Sequence, residues 1–137
     1  MDIIFSANNN EEIMVFPVVP PDTGPAVPQE HEDFEAITGK MKIIGNMGLR
    51  SLSIESFWPV NRNYPWVRPG SDPNGWLYVE FFEKWREKKV PIRVIITTDD
   101  GATRLNMACV VNDLTWKVDR VGDIRYKLDI EEYRFAG

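Results

Sequence analysis

Ile92-Arg93-Val94-Ile95-Ile96-Thr97-Thr98-Asp99-Asp100-Gly101-Ala102-Thr103-Arg104-Leu105-Asn106-Met107-Ala108-Cys109-Val110-Val111 is the stretch on which the fold turns. Ile92–Thr97 is a nearly continuous apolar run, the pattern of a central strand. Asp99-Asp100-Gly101 is a hairpin-turn signal. Leu105, Met107, Cys109 and Val111 then alternate, the period of a strand with one buried face. Downstream, Leu114, Trp116 and Val118 alternate, Asp119–Asp123 reads as a turn, and Ile124, Tyr126, Leu128 and Ile130 alternate again. Glu131-Glu132 interrupts that parity before Tyr133 and Phe135, which predicts a bulge there.

Upstream lies the one helical pattern. Asp72 can cap free N–H groups, and Pro73 suits a first helical position. Leu77, Phe81 and Trp85 recur at a spacing of four with Tyr78 and Phe82 beside them, while Glu83, Lys84, Arg86 and Glu87 take the wet side. Lys88 and Lys89 favour the C-terminal end of the dipole, and Pro91 stops the helix. The helix is expected over about residues 73–89.

Nearer the N-terminus, Phe5 and Ile13–Phe16 flank Ser6–Asn10, a short hairpin with asparagines in the turn. Pro17–Pro28 holds five prolines. They forbid helix and central strand and predict an extended arm over 17–28 with polyproline character. The arm is either a plain linker or a strap docked on a neighbour, and Val18, Val19 and Val27 favour docking. Phe34–Ile44 reads as a strand, Gly45–Gly48 as a turn, and Leu49–Phe57 as a second strand with Leu52 and Ile54 on one face. The order of elements predicts an α+β fold: mainly antiparallel β-sheet, or a split β-barrel, with one helix, in a single domain over 1–137.

The chain has 137 residues, 43% hydrophobic, with a formal charge of −5. A real core is expected, and the acidic balance argues against nucleic-acid or anionic-membrane partners. No apolar run reaches the roughly 20 residues that cross a bilayer, and no secretory leader is visible. A cytoplasmic origin is therefore expected.

The residues offer little chemistry. Cys109 is the lone cysteine and reads as a buried strand residue. His31, the lone histidine, lies in Gln29-Glu30-His31-Glu32-Asp33, read as an exposed acidic loop with nothing to bring it to Cys109. Metal-ligand spacings are missing. Gly45-Asn46-Met47-Gly48 and Gly39-Lys40 lack a full phosphate-loop pattern. Glu55, Glu80 and Asp113 are among the carboxylates a glycan hydrolase could pair across a cleft, but the sequence does not pair them, and most sit where solvated carboxylates are the norm. No catalytic, metal or cofactor residue is assigned.

Phe57–Ser71 has three prolines and four aromatics. Trp58, Tyr64 and Trp66 would suit stacking on bases or sugars, but Arg62 and Arg68 are the only cations among them. Burial in this chain's core or in a partner protein fits better. Trp58, which follows a strand, is open to either. The candidate subunit-contact residues are Val18, Val19, Val27, Trp58, Tyr64 and Trp66.

Several stretches together carry a resemblance. They are Glu11–Pro21 (EEIMVFPVVPP), Ile43–Leu49 (IIGNMGL), Leu52–Pro59 (LSIESFWP), Tyr78–Arg86 (YVEFFEKWR), Pro91–Thr97 (PIRVIIT) and Asp123–Tyr133 (DIRYKLDIEEY). In this order they resemble the N-terminal region of the LysM-bearing tail and baseplate proteins of contractile-tailed phages and PBSX-like defective prophages. The resemblance implies a non-catalytic structural protein near the tail tube and baseplate hub, a tube initiator or adaptor. Its partners would be other tail proteins and copies of itself in a ring. It would reside in the virion tail or a phage-like particle, after assembly in the host cytoplasm. This sequence stops at Gly137, where the family commonly continues into a LysM module, so peptidoglycan binding is not carried over. A tail terminator or tube subunit is the nearest alternative. A cell-wall hydrolase or glycan-binding module is the alternative from another class.

Overall fold

A computed structural model describes residues 1–62 and 64–135; Asn63, in the aromatic loop, and Ala136 and Gly137, at the end of the expected domain, lie outside the described residues. The elements are β1 (Asp2–Ala7), β2 (Glu12–Val15), β3 (Glu32–Ala36), β4 (Gly39–Ile43), β5 (Ser51–Trp58), α1 (Trp76–Glu87), β6 (Ile92–Thr97), β7 (Thr103–Val118) and β8 (Ile124–Glu132). Six strands form an antiparallel sheet in the order β2-β1-β6-β7-β8-β5, and β3 and β4 form a separate hairpin. The fold is α+β and mainly antiparallel β, as the alternating patterns predict.

Side-chain parity builds the core. Ile3, Phe5, Ile54, Val94, Met107 and Leu128 all point to one face, where they meet Tyr78, Phe81, Phe82 and Trp85 of α1. The sheet is strongly curled. In a flat six-stranded sheet the outer strands would stand roughly 24 Å apart, five spacings of about 4.8 Å. Yet Phe16, just past β2, and Trp58, at the end of β5, have ring centroids 5.7 Å apart. Isolated bridges Val15–Ser71 and Val60–Asn74 close the gap through the loop rather than through a strand pair. Asn8, Asn9 and Asn10 all adopt positive φ, between 50° and 66°, and turn β1 into β2, as expected of residues that tolerate the left-handed region.

Four expectations need correction. First, α1 begins at Trp76, not near Pro73, and ends at Glu87. Asp72 accepts the Asn74 N–H instead of capping the helix, and Asn61 N–H donates to the Pro73 carbonyl at 2.7 Å. Leu77 is exposed, and the buried stripe is Tyr78, Val79, Phe81, Phe82 and Trp85. Second, Phe34–Ile44 is not one strand: the chain folds back at Ile37-Thr38-Gly39, where Gly39 takes φ 125°. Third, residues 105–111 and 114–118 lie on a single strand, β7. Fourth, the irregularity falls not at Glu131-Glu132 but between Val111 and Asp113 of β7. The extra residue, Asn112, lets β7 pair with β6 over its first half and with β8 over its second.

Candidate functional site

Trp58 belongs to the chain's own core. It shares the inward parity of Leu52 and Ile54 on β5 and is 0% exposed. Its ring stacks on Tyr126 at 3.9 Å and on Tyr78 at 5.5 Å. The subunit-contact expectation is corrected for this residue.

Tyr64 and Trp66 lie on the other side of the sheet. Their rings stack at 4.8 Å, and Phe57, at an outward position of β5, meets both edge-on at 6.1 and 5.9 Å. The Arg125 guanidinium sits 5.7 Å from the Phe57 ring. The Tyr64 hydroxyl donates to Asp123 Oδ2 at 2.6 Å, and this bond is the first cause holding its phenol above the ordinary range. Asp123, buried, also accepts the Val60 N–H at 3.1 Å. Arg68 pairs with Asp2 at 2.6 Å and its N–H donates to the Pro17 carbonyl at 2.9 Å. These polar groups of the loop thus find partners within this chain, and the loop holds Trp66 with 52% of its surface exposed.

The proline arm is extended but is no free tether. Pro17 is buried, Val18 half-buried, and Val19 packs against this chain's own core. Ala26 and Ser51 exchange backbone hydrogen bonds of 2.8 and 3.2 Å, and Gly48 N–H donates to the Pro28 carbonyl at 2.9 Å. Val18 and Val19 are each partly buried within this chain, and of the three valines only Val27 is exposed.

A further exposed apolar surface lies outside the expected contact residues. Phe34, Ile37, Met41, Ile43, Ile44 and Met47 are all exposed. Register sets Phe34 opposite Met41 and Glu32 opposite Ile43 on one face of the β3–β4 hairpin, and Asp33 opposite Lys42 and Glu35 opposite Lys40 on the other. One face carries Phe34, Met41 and Ile43 with Glu32 at its end, the other an alternation of opposite charges with Lys42 and Asp33 at 3.6 Å. The sequence carried the signal: charges at 33, 35, 40 and 42 flank a Thr-Gly turn. A second surface is the distal half of β7, where Trp116 and Val118 are exposed and Trp116 meets Trp76 edge-on at 5.2 Å.

Reactive groups are not brought together. Burial pushes the Cys109 thiol up to about 12, so it is not a nucleophile at neutral pH. His31 accepts the Gly45 N–H at its Nδ1, 3.1 Å away, at the exposed foot of the hairpin. Glu55 and Asp113 lie on the outer face with β8 between them, Lys127 paired opposite Glu55 and Asp129 opposite Asp113, while Glu80 is on the wet face of α1. Among the described residues no cluster of three or more His, Cys, Asp or Glu side chains could hold a metal ion, and no helix is long and apolar enough to cross a membrane. A cavity of about 310 Å³ opens between the C-terminal end of α1 and β7, lined by Trp85, Arg86, Lys89, Cys109 and Tyr133 among others. It holds no nucleophile–base pair.

No protein-family model matches the chain, and no curated protein matches it.

Proposed function

We propose that this chain is a structural, non-catalytic subunit of a phage tail or phage-like particle, a baseplate hub or tube-initiating adaptor that joins tail tube to baseplate. The observation that carries this reading is the β3–β4 hairpin. An isolated two-stranded hairpin is marginal in water, and this one turns Phe34, Met41 and Ile43 to solvent. A contiguous exposed apolar face of this kind marks a contact surface. The ordered resemblance to the LysM-bearing tail proteins supplies the kind of assembly. A tail terminator or tube subunit would use the same surfaces.

Trp66 gives a direct test. It is a rigid aromatic of the kind that anchors interfaces. Trp66→Ala should leave the fold of the isolated chain intact and block incorporation into particles; particles that assemble normally with this variant would count against the role of the loop. The stacked Tyr64–Trp66 pair also favours a second reading, a glycan-stacking platform. Binding of peptidoglycan fragments that disappears in Trp66→Ala would favour it, and lysis of peptidoglycan in a zymogram would overturn the non-catalytic assignment altogether.

A further inference from the structure

Two cavities adjoin where α1 ends and β6 begins. One, of about 310 Å³, is lined by Arg86, Lys89, Val110, Val111 and Tyr133 among others. The other, of about 400 Å³, is lined by Arg93, Ala108 and Phe135 among others. Val90, Pro91 and Ile92 line both and join them into one groove. Apolar surface is open to solvent here: Val90 is 43%, Tyr133 41% and Phe135 67% exposed. Tyr133 and Phe135 meet edge-on at 5.0 Å. The pairing of β6 with β7 ends at Ile92 and Cys109. Past that point, among the described residues, no strand meets the edge of β7 that faces away from β8. Val110 and Val111, on the wall of the first cavity, therefore offer backbone groups to an extended guest.

Charge sets this groove apart. The chain carries 21 acidic residues against 16 basic ones, yet Arg86, Lys89 and Arg93 line the two cavities and no Asp or Glu does. Among the described residues none of the three cations forms an ion pair. Arg93 donates to the Asn106 side chain at 2.8 Å, a neutral partner. The nearest acids are engaged or stand outside: Glu12 pairs with Lys84, Glu132 pairs with Arg50 and Arg134, and Glu83, Glu87 and Glu131 line neither cavity. Cations at a helix C-terminus offset its dipole. That accounts for Arg86 and Lys89 but not for Arg93, which is on β6.

We infer that this groove takes an acidic, extended segment of a partner protein. One apolar side chain of the segment sits in the cavity of about 310 Å³, against Val90, Val111 and Tyr133. Acidic side chains on either side of that anchor meet Arg86, Lys89 and Arg93. The charge count selects a segment over a small amphipathic anion. The cations belong to two elements and line two cavities, so a single carboxylate cannot serve all three, whereas a run of acidic residues can. Charge-assisted hydrogen bonds to the two guanidinium groups then fix the position of the segment, and the apolar anchor supplies the desolvated contact. The inference rests on the reading of the chain as an assembly subunit and names the chemistry of one partner.

Nuclear magnetic resonance of the full, isotope-labelled chain tests the site with short capped peptides. The first has one phenylalanine with three acidic residues on each side. The second replaces the acids by their amides, and the third replaces the phenylalanine by alanine. The first should shift the Trp85 indole and the amides within residues 86–93, 109–111 and 133–135, and should bind at least tenfold more tightly than either control. Arg86→Glu with Arg93→Glu changes two exposed side chains, so the circular dichroism spectrum should stay that of the wild type. This variant should lose the acidic peptide and gain one with lysines in place of the acids. Lys89→Gln is a milder variant and should weaken the acidic peptide without that exchange of preference. No shift at millimolar peptide, shifts confined to other surfaces, or equal binding of the amide peptide each overturns the inference. So does a groove that only decanoate occupies, or whose signals move with the concentration of the chain alone, since the occupant is then a small anion or a second copy. If the peptide fails while the chain co-purifies with tail particles, the assembly role stands and only the occupant of the groove falls. Binding of the expected pattern by a chain absent from particles keeps the site and sinks the assembly role.

Discussion

Trp58 and Trp66 share one aromatic stretch but answer to different physics. Trp58 is fully buried and stacked on Tyr126 and Tyr78, so Trp58→Ala should cost about 3–5 kcal/mol of unfolding free energy by urea titration. Trp66 loses only its stacking on Tyr64 and Phe57 when truncated, so Trp66→Ala should cost about 0.5–1.5 kcal/mol by the same titration. Tyr126 adds a contrast. Its hydroxyl is buried without a hydrogen-bond partner among the described residues, and burial holds it far above the ordinary phenol range. Tyr126→Phe keeps the ring and removes that hydroxyl, so stability should be unchanged or slightly higher; a clear loss would mean the hydroxyl is bonded. Glu132 is one acid-sensitive residue. Arg50 donates to it from its side chain at 3.2 Å and from its backbone N–H at 3.0 Å, and the side-chain bond is the first cause holding its carboxyl below the usual range. The stabilisation is full above the unfolded carboxyl pKa of about 4.3 and is lost as pH falls through the depressed folded value. Glu132→Gln should flatten that acid limb in urea titrations run from neutral to low pH. The sequence left Trp58 open between core and contact, because the strand parity of Leu52 and Ile54 runs on to it while Pro59 follows directly.

At the scale of elements, the long apolar patterns read true and the junctions did not. β6 was legible from its apolar run before Asp99-Asp100-Gly101, and β8 and the two stretches of β7 from a period of two next to a turn signal. The start of α1 was not, because tertiary contact decides it. Gly75 lies against β5: a Cβ there would stand 2.7 Å from the Pro59 carbonyl oxygen and 2.8 Å from that of Trp58. Gly75→Ala, although helix-favouring locally, should therefore cost about 1–3 kcal/mol in thermal or urea unfolding, since backbone must shift to admit the methyl. The hairpin was missed as a hairpin because Thr38-Gly39 is a weak turn signal inside an otherwise strand-like run. Its exposure also sets its dynamics. In the isolated chain the amides of β3 and β4 should exchange quickly and those of β6 slowly, and in assembled particles both should be protected. Hairpin amides already as protected as β6 in the free chain would mean that the hairpin needs no partner.

For the whole molecule, one curled sheet around one helix spends the inward-facing apolar residues on a core, and three of the places where apolar surface remains are the hairpin, the distal edge of β7 and the Trp66 loop. None of the three was fully legible, because exposure is a property of what the fold leaves uncovered and not of local pattern. Trp66 was named from the sequence; the hairpin and the edge needed the topology. These surfaces make sense on a subunit that is covered by neighbours, and that is the central claim. Quantitative mass spectrometry of purified tail particles from cells that produce this chain tests it most directly. The account predicts the chain at a small, fixed number of copies per tail, the same in every preparation and co-sedimenting with tail tube and baseplate proteins. A chain found only in the soluble fraction, or present at a variable and substoichiometric level, would contradict it.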